Sequence, residues 1–157
     1  MGESQKERVD RELIELLNEL RVALPGVQVL SAFLLTVPFS SRFSDLTSGQ
    51  RTIYFITFLL SLVAMACLMA PSTYHRIRFR EGDKERMLRT SNRFAIVGTA
   101  LLALAMGFVA LLVGDLLYGV RVAVVVSAVL LGFMAWCWFG LPLLRKAEDN
   151  QARDARS

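Results

Sequence analysis

The sequence is poor in the residues that build chemical centres. It has one histidine, His75, and two cysteines, Cys67 and Cys137. Both cysteines lie in apolar stretches without a partner at metal-ligand spacing. A zinc site would need more ligands than the chain supplies, and the thiols read as small, reduced, apolar side chains. No metal or other cofactor is expected. Charge is also missing from the centres of the long apolar stretches, where acids in pumps mark proton relays and cation sites. Those stretches hold no paired carboxylate, no nucleophile–base set and no ligand cluster, which argues against an enzyme. The first apolar stretch is not expected to be a cleavable signal peptide. The first apolar stretch follows a charged, acid-rich leader of 21 residues rather than a short basic one, and no small-residue cleavage site follows Phe39.

What the chain has in quantity is apolar sequence. Of its 157 residues, 54% are hydrophobic, yet 20% are charged, and the two kinds are segregated. Four stretches are almost free of Asp, Glu, Lys and Arg: 22–39, 53–70, 94–114 and 122–144. At 1.5 Å per helical residue, 18 residues reach about 27 Å and 21 about 31 Å, close to the roughly 30 Å hydrocarbon core of a bilayer. A soluble bundle would need polar faces on its helices, and none is visible here. The fold class expected is therefore all-α: a polytopic membrane four-helix bundle preceded by an amphipathic cytoplasmic helix. Its parts are a leader over 1–21, a transmembrane domain over 22–144 and a disordered cytoplasmic tail over 145–157.

Orientation follows from the loops. Fifteen of the eighteen Lys and Arg residues fall in the leader, the segment 71–93 and the tail; only Arg42, Arg51 and Arg121 lie on the other side. The excess of positive charge on cytoplasmic segments puts both termini and the middle segment in the cytoplasm of a bacterial inner (plasma) membrane. Four spans require termini on one side, so the two arguments agree. Aromatic residues flank the stretches as interface anchors: Phe39, Phe43, Tyr54, Phe55 and Tyr118 outside, Tyr74, Phe79, Phe94, Trp136, Trp138 and Phe139 inside.

In the leader, Val9, Leu13, Leu16 and Leu20 follow helical spacing and Leu17 widens the stripe. With six acidic and four basic side chains, the leader is poorly attracted to anionic lipid. Packing on protein is expected instead, either on neighbouring helices or on the same helix of a second copy. Leu24-Pro25-Gly26 then interrupts the pattern. One reading has Pro25 starting the membrane helix after a break, since proline in a first turn sacrifices no hydrogen bond. The other has Pro25 and Gly26 unwinding the chain and exposing carbonyls to a substrate or ion. Gln28, one turn on, suits a hydrogen bond between helices in either case.

Thr99, Ala103 and Gly107, continued by Ala110 and Gly114, form a small-residue row suited to close helix packing, as do Ala128 and Gly132. Asp115 ends the third stretch and, with Gln28 and His75, makes up the polar set that an ion path would use. The segment 71–93 interleaves bases with aromatics. Its plain role is a positive-inside anchor; its specific one is a site for anionic lipid headgroups at Arg76, Arg78 and Arg80. Nucleic acid is not expected as a partner, because the segment emerges directly from the membrane.

The combination Arg21-Val22-Ala23-Leu24-Pro25-Gly26-Val27-Gln28, Pro38-Phe39 with Arg42-Phe43, and Ala70-Pro71 with His75-Arg76 and Phe79-Arg80 resembles a family of small bacterial four-helix integral membrane proteins of unknown function. The resemblance covers roughly residues 10–120. It implies a loose association with sodium/proton antiport, which a chain without a mid-membrane acid supports little. Three activities follow in order of expectation. The first is a non-enzymatic membrane protein that assembles with itself, as a homo-oligomer, or with a membrane partner. The second is a small oligomeric ion or proton conductor, and the third a membrane enzyme.

Overall fold

A computed structural model describes residues 5–78 and 84–140. The described residues form four long helices and no strand: α1 Gln5–Thr36, α2 Ser48–Arg78, α3 Lys84–Tyr118 and α4 Val120–Ala135, the last ending in a π turn at Trp136–Gly140. All four are long and apolar enough to cross a membrane. The all-α class read from the sequence is therefore what the chain has. The expected tail over 145–157, the last residues of the fourth stretch, Arg80 and the side chain of Arg78 lie outside the described residues.

Helix α1 corrects one expectation. It runs unbroken from the leader through Pro25 and Gly26 into the first apolar stretch. The physical reason is a comparison of costs. Proline inside a helix removes one hydrogen bond, at about 3 kcal/mol. A full break would give up several such bonds and the shared register in which Leu20, Leu24 and Val27 pack together. Continuing the helix is cheaper. The leader half gains further from an Arg8–Glu12 pair one turn apart, Nε donating to Oε1 at 2.8 Å. A second correction concerns the segment 71–93. Helix α2 extends through a fully buried Pro71 to Arg78, and α3 begins at Lys84, so most of what read as a loop is helix.

Two 3₁₀ turns, Val37–Phe39 and Ser41–Asp45, join α1 to α2. Arg51 ties them down: its Nη2 donates to the Ser44 carbonyl at 2.8 Å and its guanidinium lies 5.8 Å from the Phe43 ring centre. Helix α2 starts with a reciprocal cap. Gln50 N–H donates to Thr47 Oγ1 at 3.3 Å and Thr47 N–H to Gln50 Oε1 at 3.0 Å, which satisfies two otherwise orphaned donors. Between α3 and α4 the chain turns at Gly119, whose φ of +84° belongs to the left-handed region that side chains avoid.

Contacts divide the chain into two compact units, residues 1–105 and 106–157. In the first, Leu20 and Val27 of α1 bury against Leu68 of α2, with Leu16, Leu24, Met65, Ala95 and Leu102 around them. The leader stripe thus packs on the chain's own helices, one of its two expected partners. Polar groups join α1 to α2 at two further levels: Ser31 Oγ donates to Ser61 Oγ at 3.2 Å, and the Tyr54 hydroxyl donates to the Leu34 carbonyl at 2.7 Å. Gly98 meets Leu68 so closely that an added Cβ would come within 2.8 Å of its side chain. In the second unit, Gly107 faces Leu131, Gly114 faces Ala123, and Ser127 Oγ donates to the Gly107 carbonyl at 2.7 Å. Gly107 packs on α4, whereas Thr99 is satisfied within its own helix, its hydroxyl donating to the Ala95 carbonyl at 2.8 Å. On α4 the packed row is Ala123, Ser127 and Leu131, so Ala128 and Gly132, one position round the helix, are exposed.

Candidate functional site: a basic groove between α1 and α2

Residues Leu17, Arg21, Leu24, Pro25 and Gln28 recur at three- and four-residue steps, so α1 presents them along one face. Opposite them, α2 presents Ser72, His75 and Arg76. The two faces enclose a groove of about 610 Å³. Its apolar wall is Leu17, Leu24 and Pro25; its polar wall carries two guanidiniums, an imidazole, a carboxamide and a hydroxyl. From Arg21 to Gln28 the groove follows α1 for about 10 Å at helical rise. It also lies where the apolar stretches of both helices end, since Val22 opens the first and Ala70 closes the second.

The electrostatics have one sign. No carboxylate lines the groove. Arg21 and Arg76 are exposed, and neither has a carboxylate partner among the described residues. Such guanidiniums present planar, forked donors that match phosphate and carboxylate oxygens. A second groove in the same unit has the opposite character: Glu12, Glu15 and Glu19 of α1 stand over Leu88, Arg89 and Asn92 of α3, around about 380 Å³. There Arg89 is already paired, its Nη2 lying 2.7 Å from Glu85 Oε1. The basic groove is the one whose charge suits an anion.

Pro25 also removes one backbone donor of α1 beside the groove. In a helix the carbonyl of one residue is aimed at the N–H four residues on, and Pro25 has none. The Arg21 carbonyl therefore lacks its usual donor, and both residues line the groove.

The structure brings together four residues singled out in the sequence: Pro25, Gln28, His75 and Arg76. Asp115 is not among the lining residues; it belongs to the second unit, where its backbone carbonyl accepts from Gly119 N–H at 3.1 Å. Sequence reasoning missed Arg21 and Ser72 as members of the set. Arg21 carried a signal, as the last charge before the first apolar stretch and one helical turn from Pro25. Ser72 carried none.

A family model described as a family of unknown function (DUF6328) matches residues 2–142, nearly the whole chain, and the chain belongs to that family. The match extends beyond the 10–120 that the resemblance covered. No curated protein and no solved structure matches the chain.

Proposed function

We propose that this member of the family is a multi-pass protein of a bacterial cytoplasmic membrane, termini inside, that works by binding rather than catalysis. Its groove between α1 and α2 holds the phosphate of an anionic lipid headgroup. The observation that carries the reading is the pairing of Arg21 and Arg76 across a groove with no carboxylate, at the level where two apolar stretches end. That level is the headgroup zone, some 5–7 Å deep on each face of a bilayer, and the roughly 10 Å groove spans it. The apolar wall suits the glycerol and first acyl carbons. Assembly with a second copy or a membrane partner is the setting in which such a lipid would act, as a filler between helices.

The test is lipid retention. Native mass spectrometry of the purified chain should show bound anionic phospholipid, and Arg21→Gln with Arg76→Gln should reduce it by more than the about 10- to 100-fold that one charge-assisted hydrogen bond is worth. Arg42→Gln, outside the groove, should leave retention alone. Equal retention in the double variant would end the proposal. Millimolar inorganic phosphate or glycerol phosphate should not displace the lipid; displacement would assign the groove to a soluble phosphate compound. A second reading has one observation in its favour: Gln28 and His75, two of the three residues named for an ion path, share this groove. Sodium or proton flux in liposomes that falls with Gln28→Leu would support it; flux no greater than in empty liposomes would dismiss it.

A further inference from the structure

The register of α1 on α2 brings the two arginines of the groove to one level. Ser31 bonds to Ser61, and the Tyr54 hydroxyl reaches the Leu34 carbonyl, so the helices run antiparallel. Residues 21 and 71 each lie ten positions from the serine pair and are therefore level. Arg76 stands five positions further on, about 7.5 Å along the axis. Side chains lean toward the N-terminus of their own helix, and in an antiparallel pair those leans oppose. Arg21 thus leans toward Leu17 and Arg76 toward Ser72, all four lining the same groove. The two guanidiniums close the axial gap from opposite sides and can share one phosphate.

Two permanent positive charges then face whatever lies between them, and no carboxylate lines the groove to offset either. A phosphodiester brings one negative charge and two terminal oxygens. It would leave one guanidinium uncompensated at the edge of the hydrocarbon, where water screens poorly. A phosphate monoester brings close to two charges and three terminal oxygens, enough for each planar fork to take a pair of oxygens. Gln28 and Ser72 offer hydrogen bonds that either class can use, so they add affinity without sorting the two.

We infer that the groove selects a membrane lipid ending in a phosphate monoester over singly charged phosphodiester lipids. The inference rests on the lipid-phosphate reading of the groove and names the headgroup class that reading leaves open. Discrimination is a joint property of Arg21 and Arg76: with one of them gone, a single charge on the lipid suffices.

The experiment titrates the full-length chain at pH 8, where the monoester is doubly ionised, and follows binding by native mass spectrometry. Phosphatidic acid should bind about 10- to 100-fold tighter than phosphatidylglycerol of the same acyl chains, the range of one further charge-assisted hydrogen bond. Cardiolipin, whose two charges sit on separate phosphodiesters, should show no such gain. Arg21→Gln and Arg76→Gln, made singly, should each bring the ratio of the first two lipids close to one. Both arginines are exposed, so neither change should move the unfolding midpoint, which separates a lost preference from a lost fold. Arg42→Gln, outside the groove, should keep the preference. Equal binding of phosphatidic acid and phosphatidylglycerol by the unaltered chain would overturn the inference and leave the anionic site standing. So would cardiolipin binding as tightly as phosphatidic acid, or a preference that survives either single change. Binding of none of the three lipids would overturn the underlying reading as well.

Discussion

Ser91 is 1% exposed and its hydroxyl has no hydrogen-bond partner. A buried hydroxyl without a partner costs about 1–3 kcal/mol of desolvation, so Ser91→Ala should stabilise the chain. A thermal shift upward of a few degrees in detergent checks this, and a fall in Tm would mean that the hydroxyl has a partner in the folded protein. Glycines divide just as sharply. Gly107 has the Leu131 side chain within 2.6 Å of where a Cβ would stand, and its carbonyl accepts from Ser127. Gly107→Leu should therefore cost about 1–3 kcal/mol by overpacking. Gly26, with open space around it, should gain about 0.5–1 kcal/mol as alanine, because glycine in a helix interior is the poorer residue. Parallel unfolding curves of the two variants should move in opposite directions. Equal spacing in the sequence made Thr99, Ala103 and Gly107 look equivalent. Thr99 bonds to its own helix while Gly107 meets α4, and no spacing rule could have separated them.

Among the elements, α1 carries the largest difference between sequence and structure. Its amphipathic leader and its apolar half were both legible from periodicity; their fusion into one helix of 32 residues was not. Pro25 is compatible with either outcome, and the choice turns on the packing of Leu20, Leu24 and Val27 against Leu68 of α2, which no residue pattern records. The groove was hidden for a related reason. Periodicity names the face of α1 that holds Arg21, Pro25 and Gln28, but not that Ser72, His75 and Arg76 of α2 stand opposite it. The leader's packing yields a prediction at this scale. Leu13 is 3% and Leu20 5% exposed, so either residue changed to alanine should destabilise the first unit by about 2–5 kcal/mol. Ile14, 59% exposed between them, should tolerate the same change within about 0.5 kcal/mol. Proteolysis of the leader in detergent reads both. If Leu13→Ala and Leu20→Ala left the cleavage rate at that of Ile14→Ala, the stripe would not be packed in solution.

For the whole molecule, hydropathy and loop charge make a joint statement that a labelling experiment can break. The four apolar helices have the length to cross a membrane, and the uneven distribution of Lys and Arg selects one of the two orientations that four spans allow. Helix α1 sharpens this. Its 32 residues extend about 48 Å at helical rise, roughly 18 Å more than the hydrocarbon core needs. In the proposed topology the excess is the charged leader, projecting into water on the side where the groove lies. In a background with Cys67 and Cys137 changed to alanine, single cysteines at Asn18 and Arg86 should then react with an impermeant maleimide only after the cell membrane is opened. Cysteines at Ser44 and Tyr118 should react on intact cells. Labelling of all four from outside would deny a fixed orientation. The reverse pattern would put Arg21 and Arg76 on the outer face, contrary to the positive-inside rule, and expose the groove to the lipids of the other leaflet. The same four cysteines thus test the topology and which leaflet supplies the groove's ligand.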